Sequence, residues 1–149
     1  MTLNPGLFSS KRQTWRTPVK LYEALDRVFH FDHDPCPVDP QEDGLVTEWG
    51  ERNFVNPPFG REIGLWVRKG YDEALKGRLV VMLLPARTDT SYWHSYVMRA
   101  TKIHFLPGRL HFDDGPNPAP FPSAIVVFEP GKLGGPPTIE SGFPDDNQG

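Results

Sequence analysis

The chain holds a single cysteine, Cys36, among 149 residues, so no intramolecular disulfide can form, and a reducing compartment suits it. No apolar run approaches the ~20 residues of a membrane-spanning helix. Residues 1–15 (MTLNPGLFSSKRQTW) lack the apolar stretch of a signal peptide. Neither charge dominates: 16 Lys and Arg face 19 Asp and Glu, for a net charge of −3 and a pI near 5.9. That balance excludes a broadly basic nucleic-acid coat but leaves room for a local basic site. Metal-ligand spacing is missing too. Of five histidines only His30 and His33 are close, and strand alternation sends those two to opposite faces.

What the chain has in excess is punctuation: 17 prolines and 14 glycines, about a fifth of its length. Proline inside a helix costs about 3 kcal/mol, which excludes a long-helix bundle or a coiled coil. Four Trp, four Tyr and ten Phe supply a core and exclude disorder throughout. The length suits one domain.

Residues 1–13 read as a polar arm, 14–130 as a single domain and 131–149 as a disordered Gly/Pro tail. Thr17-Pro18 reads as an N-cap and first helical position, followed by an apolar face of Leu21, Leu25, Val28 and Phe29. His30–Asp34 is short and strand-like, and 37–50 is an acidic loop. Arg52–Asn56 reads as a strand, and Ile63, Trp66, Val67, Tyr71, Ala74 and Leu75 as a second helix ended by Gly77. Leu79–Leu84 (LVVMLL) has the composition of a strand buried on both faces. A third helix follows Thr88-Asp89-Thr90 and carries Trp93, Tyr96, Val97 and Ala100. Lys102–Leu106, Arg109–Phe112 and Ser123–Phe128 complete the expected strands, with a Pro/Gly loop at 113–122. Alternating strands and helices imply α/β architecture with a parallel sheet. Ligands bind such sheets at the carboxyl ends of the strands. Those ends are Asp34-Pro35-Cys36, Asn56-Pro57-Pro58-Phe59 and Pro85-Ala86-Arg87.

Asn56-Pro57-Pro58-Phe59 carries the strongest chemical signal. Two prolines extend the backbone and remove its amide donors, leaving the Asn56 side-chain oxygen and the Pro57 carbonyl as acceptors. An amino group on a planar ring needs such acceptors: they hold its two hydrogens, draw the nitrogen toward tetrahedral geometry and localise its lone pair. Phe59 adds a flat face for stacking. The bland reading is that Pro-Pro merely ends a strand.

Asn-Pro-Pro-Phe after a hydrophobic strand resembles the signature of amino-group methyltransferases that use S-adenosylmethionine. The wider set of motifs, over residues 14–129, is similar to the phage-type Dam family of DNA adenine-N6 methyltransferases. It comprises Trp15-Arg16-Thr17-Pro18 with Leu21-Tyr22-Glu23-Ala24-Leu25, Phe31 to Cys36, Asp43-Gly44-Leu45, Trp49, Phe54 to Gly60, Leu84 to Thr90, Trp93-His94 and Pro120 to Ala124. The resemblance implies a three-layer Rossmann-like class I methyltransferase fold, with a truncated, mostly parallel sheet of about five strands and helices on both faces. It implies site-specific methylation of a flipped adenine, with S-adenosylmethionine as methyl donor and DNA as partner, in the cytoplasm of a bacterial host if the gene is phage or prophage borne. Asn56, Pro57, Pro58 and Phe59 take the catalytic positions. Thr17, Pro18, Asp34, Pro35, Cys36 and Asp43 take the cofactor positions, and Arg87, Asp89 and Thr90 those on the substrate side. No metal and no membrane are expected, and a homo-oligomer is admitted.

A full methyltransferase of this class carries a Gly-rich turn and two further strands where this chain has 35–51, a long loop with one central glycine, Gly44. This departure motivates a rival reading, a catalytically degenerate methyltransferase-like module that binds nucleic acid or a protein. Cys36 reads as a small wall residue, since no nearby motif supplies a base to activate it. Asp32 and Asp34 share a strand face and read either as a carboxylate pair or as turn caps. Lys11, Arg12, Arg16 and Lys20 form a basic cluster that reads equally as a phosphate contact or a solvated arm.

Overall fold

In the computed structural model, which describes residues 15–144, the apolar run Leu79–Pro85 is a strand buried at every position. The expected arm 1–13, with Lys11 and Arg12, lies outside the described residues, as does the end of the tail from 145. Along the chain the elements are α1 (Val19–Phe29), β1 (Arg52–Val55), α2 (Ile63–Leu75), β2 (Leu79–Pro85), α3 (Ser91–Ser95), β3 (Lys102–Phe105), β4 (Ser123–Phe128) and β5 (Thr138–Ser141). The sheet order is β1-β2-β4-β3-β5.

β2 explains the layering. Its odd positions Leu79, Val81 and Leu83 face a core shared with Leu21 and Leu25 of α1, while Val80, Met82 and Leu84 face Trp66, Val67 and Ala74 of α2. Alternation with both faces covered produces an unbroken apolar run. Helices thus lie on both faces, α1 on one and α2 with α3 on the other. Gly77, at φ 102°, makes the left-handed turn from α2 into β2.

The sheet is mixed, which corrects the parallel sheet expected from the alternation of elements. β1 pairs with β2, and β3 with β5, in parallel, but β4 inserts between β2 and β3 and runs against both. The chain returns from β3 through the long connection 106–122 and enters β4 running against β3.

Four local expectations also change. His30–Asp34 is no full strand: it makes one parallel bridge, His33 to Asn53, because the Asp32 carboxylate takes the Arg52 N–H that a longer ladder would use. The third helix is only Ser91–Ser95, and a separate 3-10 turn carries Val97–Arg99. Arg109–Phe112 is not a strand, since both sides of β3 are already occupied, and its end winds into a 3-10 turn at Phe112–Asp114. The tail expected to be disordered supplies β5. There, Thr138 N–H donates to Thr101 O, Gly142 N–H donates to Phe105 O, and Glu140 pairs with Lys102 at 3.2 Å. Among the described residues no helix is long and apolar enough to cross a membrane.

Candidate active site

The carboxyl ends of β1 and β2 lie at one edge of the sheet, and the His33 bridge brings Asp34 to the same edge. β1 delivers Asn56, whose side chain is 5% exposed. Its Nδ2 donates to the Trp15 carbonyl at 2.6 Å and to Thr17 Oγ1 at 3.0 Å. Both hydrogens of the amide nitrogen are therefore used. Oδ1 is buried with no hydrogen-bond partner among the described residues. The Trp15 carbonyl can only accept, so the amide orientation follows from its partners. An orphaned buried acceptor is costly, about 1–3 kcal/mol, and marks a place where a donor belongs. Pro57 and Pro58 are buried and Phe59 is half-buried.

Two cavities flank this loop. The first, about 240 Å³, is lined by Trp15, Thr17, Tyr22, Asp34, Cys36 and Asn56, among others. The second, about 370 Å³, is lined by Phe59, Arg87, Phe112 and Phe121 with the 117–120 segment. Trp15 belongs to both and forms the wall between them. In the second cavity Phe59 meets Phe121 and Phe112 edge to face, with ring centres 5.1 and 5.7 Å apart, and the Arg87 guanidinium lies 5.8 Å from the Phe121 ring centre.

Electrostatics distinguish the first cavity. Asp34 opens onto it and is exposed as a residue, yet the protein packed about its carboxyl displaces enough water to push its pKa up to about 6, against the opposing pull of the Cys36 N–H and the charge of His33. Asp34 Oδ1 accepts that Cys36 N–H at 2.9 Å, a turn-capping bond, and Asp32 likewise serves the backbone. The Cys36 thiol is pushed up to about 12, by burial first and then by the carboxylates of Asp34, Asp43 and Glu62. It stays protonated at neutral pH and forms part of the wall.

The expected site residues divide accordingly. Thr17, Asp34, Cys36 and Asn56 meet in the first cavity, and Phe59 and Arg87 meet in the second. Pro18 is the N-cap of α1, with no side-chain cap, and Pro35 is buried behind the cavity. Thr17, read from sequence as that cap, instead spends its hydroxyl on Asn56. Asp43 lines neither cavity; its carboxylate holds the Leu45 N–H at 2.9 Å. Asp89 is exposed, and Thr90 hydrogen-bonds the Arg87 carbonyl at 2.8 Å, so these two shape the entry to α3 and line neither cavity. Sequence reasoning missed Tyr22, Phe112 and Phe121 as lining residues. The aromatic positions bracketing the 113–120 loop were the available signal.

The loop 35–51 is folded onto α2. Trp49 Nε1 donates to the Gly44 carbonyl at 2.7 Å, and the Trp49 ring stacks on Trp66 with centres 6.3 Å apart. Gly44 sits where a Cβ would overlap the Pro35 carbonyl oxygen and crowd the Trp66 ring, which accounts for a glycine there.

The chain is 24% identical over 140 residues to a DNA N-6-adenine-methyltransferase of Haemophilus phage HP1, covering 81% of each chain. The family model for DNA N-6-adenine-methyltransferase (Dam) matches residues 6–125, most of the chain and every motif of the edge just described, and the protein therefore belongs to the Dam family.

Proposed function

We propose that this protein transfers a methyl group from S-adenosylmethionine to N6 of an adenine in DNA. One observation carries the reading: the buried Oδ1 of Asn56, unpartnered among the described residues, on a loop whose prolines offer acceptors and no donors. An exocyclic amine is the donor such a loop lacks. Asn56 Oδ1 and the Pro57 carbonyl accept the two N6 hydrogens and direct the nitrogen lone pair away from the ring. Phe59, backed by Phe112 and Phe121, supplies an aromatic floor for the base. The adenine has to leave the duplex to reach it, because N6 cannot be approached in line within the stack. Arg87 and Arg16, both exposed beside the cavities, are placed to meet phosphate.

The first cavity fits the methyl donor by the chemistry of its lining. Asp34 faces an α-ammonium, while Tyr22, Phe54 and Val38 give apolar walls to a flat ring and thioether arms. When bound, S-adenosylmethionine supplies a methyl group on a positively charged sulfur, an electrophile that needs no further activation. Asp34 and Cys36 hold it on this reading; Thr17 lines the cavity with its hydroxyl spent on Asn56, and Pro18, Pro35 and Asp43 shape the segments that carry these residues. Asp89 and Thr90 serve the substrate side by setting the course of the chain after Arg87. We read the mixed sheet as the class I methyltransferase sheet shortened on the adenosine side, where the loop anchored on Trp49 takes over.

The test is label transfer. Purified protein with methyl-labelled S-adenosylmethionine and genomic DNA should place label on adenine N6, and Asn56→Ala should slow transfer roughly a hundred-fold or more while leaving a measurable rate. No label in DNA, or label unchanged in Asn56→Ala, defeats the reading.

A further inference from the structure

The segment 15–17 is bound at both ends of its contact with the catalytic loop. Toward β1, the Trp15 carbonyl and the Thr17 hydroxyl take both hydrogens of Asn56 Nδ2. On its other side it is latched to residues almost a hundred positions away. Arg16 N–H donates to Asp113 Oδ1 at 2.8 Å, and Asp113 N–H returns a bond to the Arg16 carbonyl at 2.8 Å. Asp114 Oδ2 accepts the N–H of Val19, the first residue of α1, at 3.2 Å. Asp113 and Asp114 adopt φ of 61° and 52° to reach these positions. Left-handed backbone at two successive non-glycine residues is uncommon and persists where surrounding contacts demand it. Because Asp114 satisfies the helix start, Thr17 is released from capping, and its hydroxyl is available to Asn56.

From this arrangement we propose that Thr17 is a positioning residue for methyl transfer: with the Trp15 carbonyl it locks the Asn56 amide so that only Oδ1 faces the acceptor amine, and Asp113 and Asp114 hold the locking segment in place. The inference rests on the methyl-transfer reading of the site. An unlocked primary amide has two faces. Turned by half a rotation, Asn56 would set Oδ1 against the Trp15 carbonyl and present N–H groups to an amine that itself donates, which is repulsive at both ends. The lock removes that state before substrate arrives, which is preorganisation of an acceptor at the reacting atom. It also makes the amide necessary here: an aspartate at 56 would turn a carboxylate oxygen toward the Trp15 carbonyl with no donor between them.

The test compares wild type, Thr17→Val, Thr17→Ser, Asn56→Ala and the Thr17→Val/Asn56→Ala double variant, with kcat for label transfer to DNA and Kd for S-adenosylmethionine measured on each. Valine keeps the shape of threonine, and retained cofactor binding reports an intact fold. Thr17→Val should lower kcat roughly ten- to a hundred-fold, with the cofactor Kd within about threefold of wild type, as uniform binding is not what the lock supplies. Thr17→Ser should restore most of the rate. The double variant should be no slower than Asn56→Ala, since the hydroxyl acts only through that amide. A Thr17→Val enzyme at the wild-type rate, a loss that appears in cofactor Kd instead of kcat, or a full additional loss on the Asn56→Ala background overturns the inference alone. A wild type that transfers no label overturns the methyl-transfer reading, and the inference falls with it.

Discussion

Glu73 of α2 and Trp49 of the preceding loop are joined by a buried hydrogen bond, the Trp49 backbone N–H donating to Glu73 Oε1 at 2.7 Å. Arg78 reaches the same oxygen at 2.6 Å, and Lys76 lies 3.1 Å from Oε2. A single fully buried carboxylate thus pins the loop on the proposed adenosine side to the helix beneath it.

Replacing Glu73 with Gln should destabilise the fold by about 1–3 kcal/mol, measured by urea unfolding at pH 7. The range is modest because Lys76 and Arg78 keep access to water and can resolvate. The pH dependence has a definite sign. Burial alone would raise the Glu73 pKa, but hydrogen bonds from Trp49, Lys76 and Arg78, together with the Lys69 charge, outweigh it and lower the value below 4.5. A lowered folded pKa stabilises fully above the unfolded value, and that contribution is lost as pH falls through the folded one. Wild type should therefore lose stability more steeply below about pH 4.5 than Glu73→Gln. Parallel acid limbs in the two proteins would refute this.

Gly44→Ala tests the same loop from its other end. A methyl group there must displace the Pro35 carbonyl or the Trp66 ring, and a backbone oxygen cannot swing aside as a flexible side chain can. We expect a cost of about 1–3 kcal/mol, with weaker S-adenosylmethionine binding as the loop lifts from Trp66. Calorimetry and thermal unfolding on the same variant would measure both effects. Unchanged cofactor affinity would place the adenosine elsewhere.

On the proposed reading, Asp34 should make cofactor affinity pH-dependent. Burial pushes the pKa of its carboxyl up to about 6, and only the ionised form attracts an ammonium group. Affinity should be full above that value and fall about tenfold per unit below it. Asp34→Asn should bind weakly at all pH values and show no such limb, while keeping its bond to Cys36 N–H, since the amide retains an oxygen acceptor. Calorimetric titration between pH 5 and 8 separates the two proteins. A wild-type affinity flat across that range would remove Asp34 from ammonium binding.

Local patterns that bury apolar surface were legible in the sequence. The face of Leu21 and Leu25, the run from Leu79 to Leu84 and the strand 123–128 all appear as elements because their periodicity reports burial. β5 was not legible, because Thr138–Ser141 is mostly exposed and joins the sheet through backbone bonds that leave no hydrophobic trace. The Asn56 loop could be found from residue type alone. Its lock could not: Thr17 and Asn56 are 39 residues apart, and the Asp113 latch spans 97. Such side-chain to backbone bonds depend on where the chain returns, and a cap motif such as Thr17-Pro18 reads the same in sequence whether or not it caps.

The two cavities on either side of Trp15 predict separable phenotypes, and Phe121 gives the sharper one. Its ring meets Phe59 edge to face at 5.1 Å and carries the Arg87 guanidinium, yet it lines only the second cavity. Truncation to alanine removes one wall of the proposed base pocket and frees Phe59 to tilt. Stacking on a base is worth about 1–3 kcal/mol, so Phe121→Ala should lower kcat/KM for DNA roughly ten-fold or more. Affinity for S-adenosylmethionine should be unaltered, since no lining residue of the first cavity touches the Phe121 ring in the aromatic contacts seen. Phe121→Leu should recover part of the loss by refilling the space without the flat face. The assay is steady-state methylation of a duplex against a single-stranded substrate, with cofactor binding measured separately. If Phe121→Ala instead weakened the cofactor and left DNA turnover intact, the assignment of the two cavities would have to be exchanged.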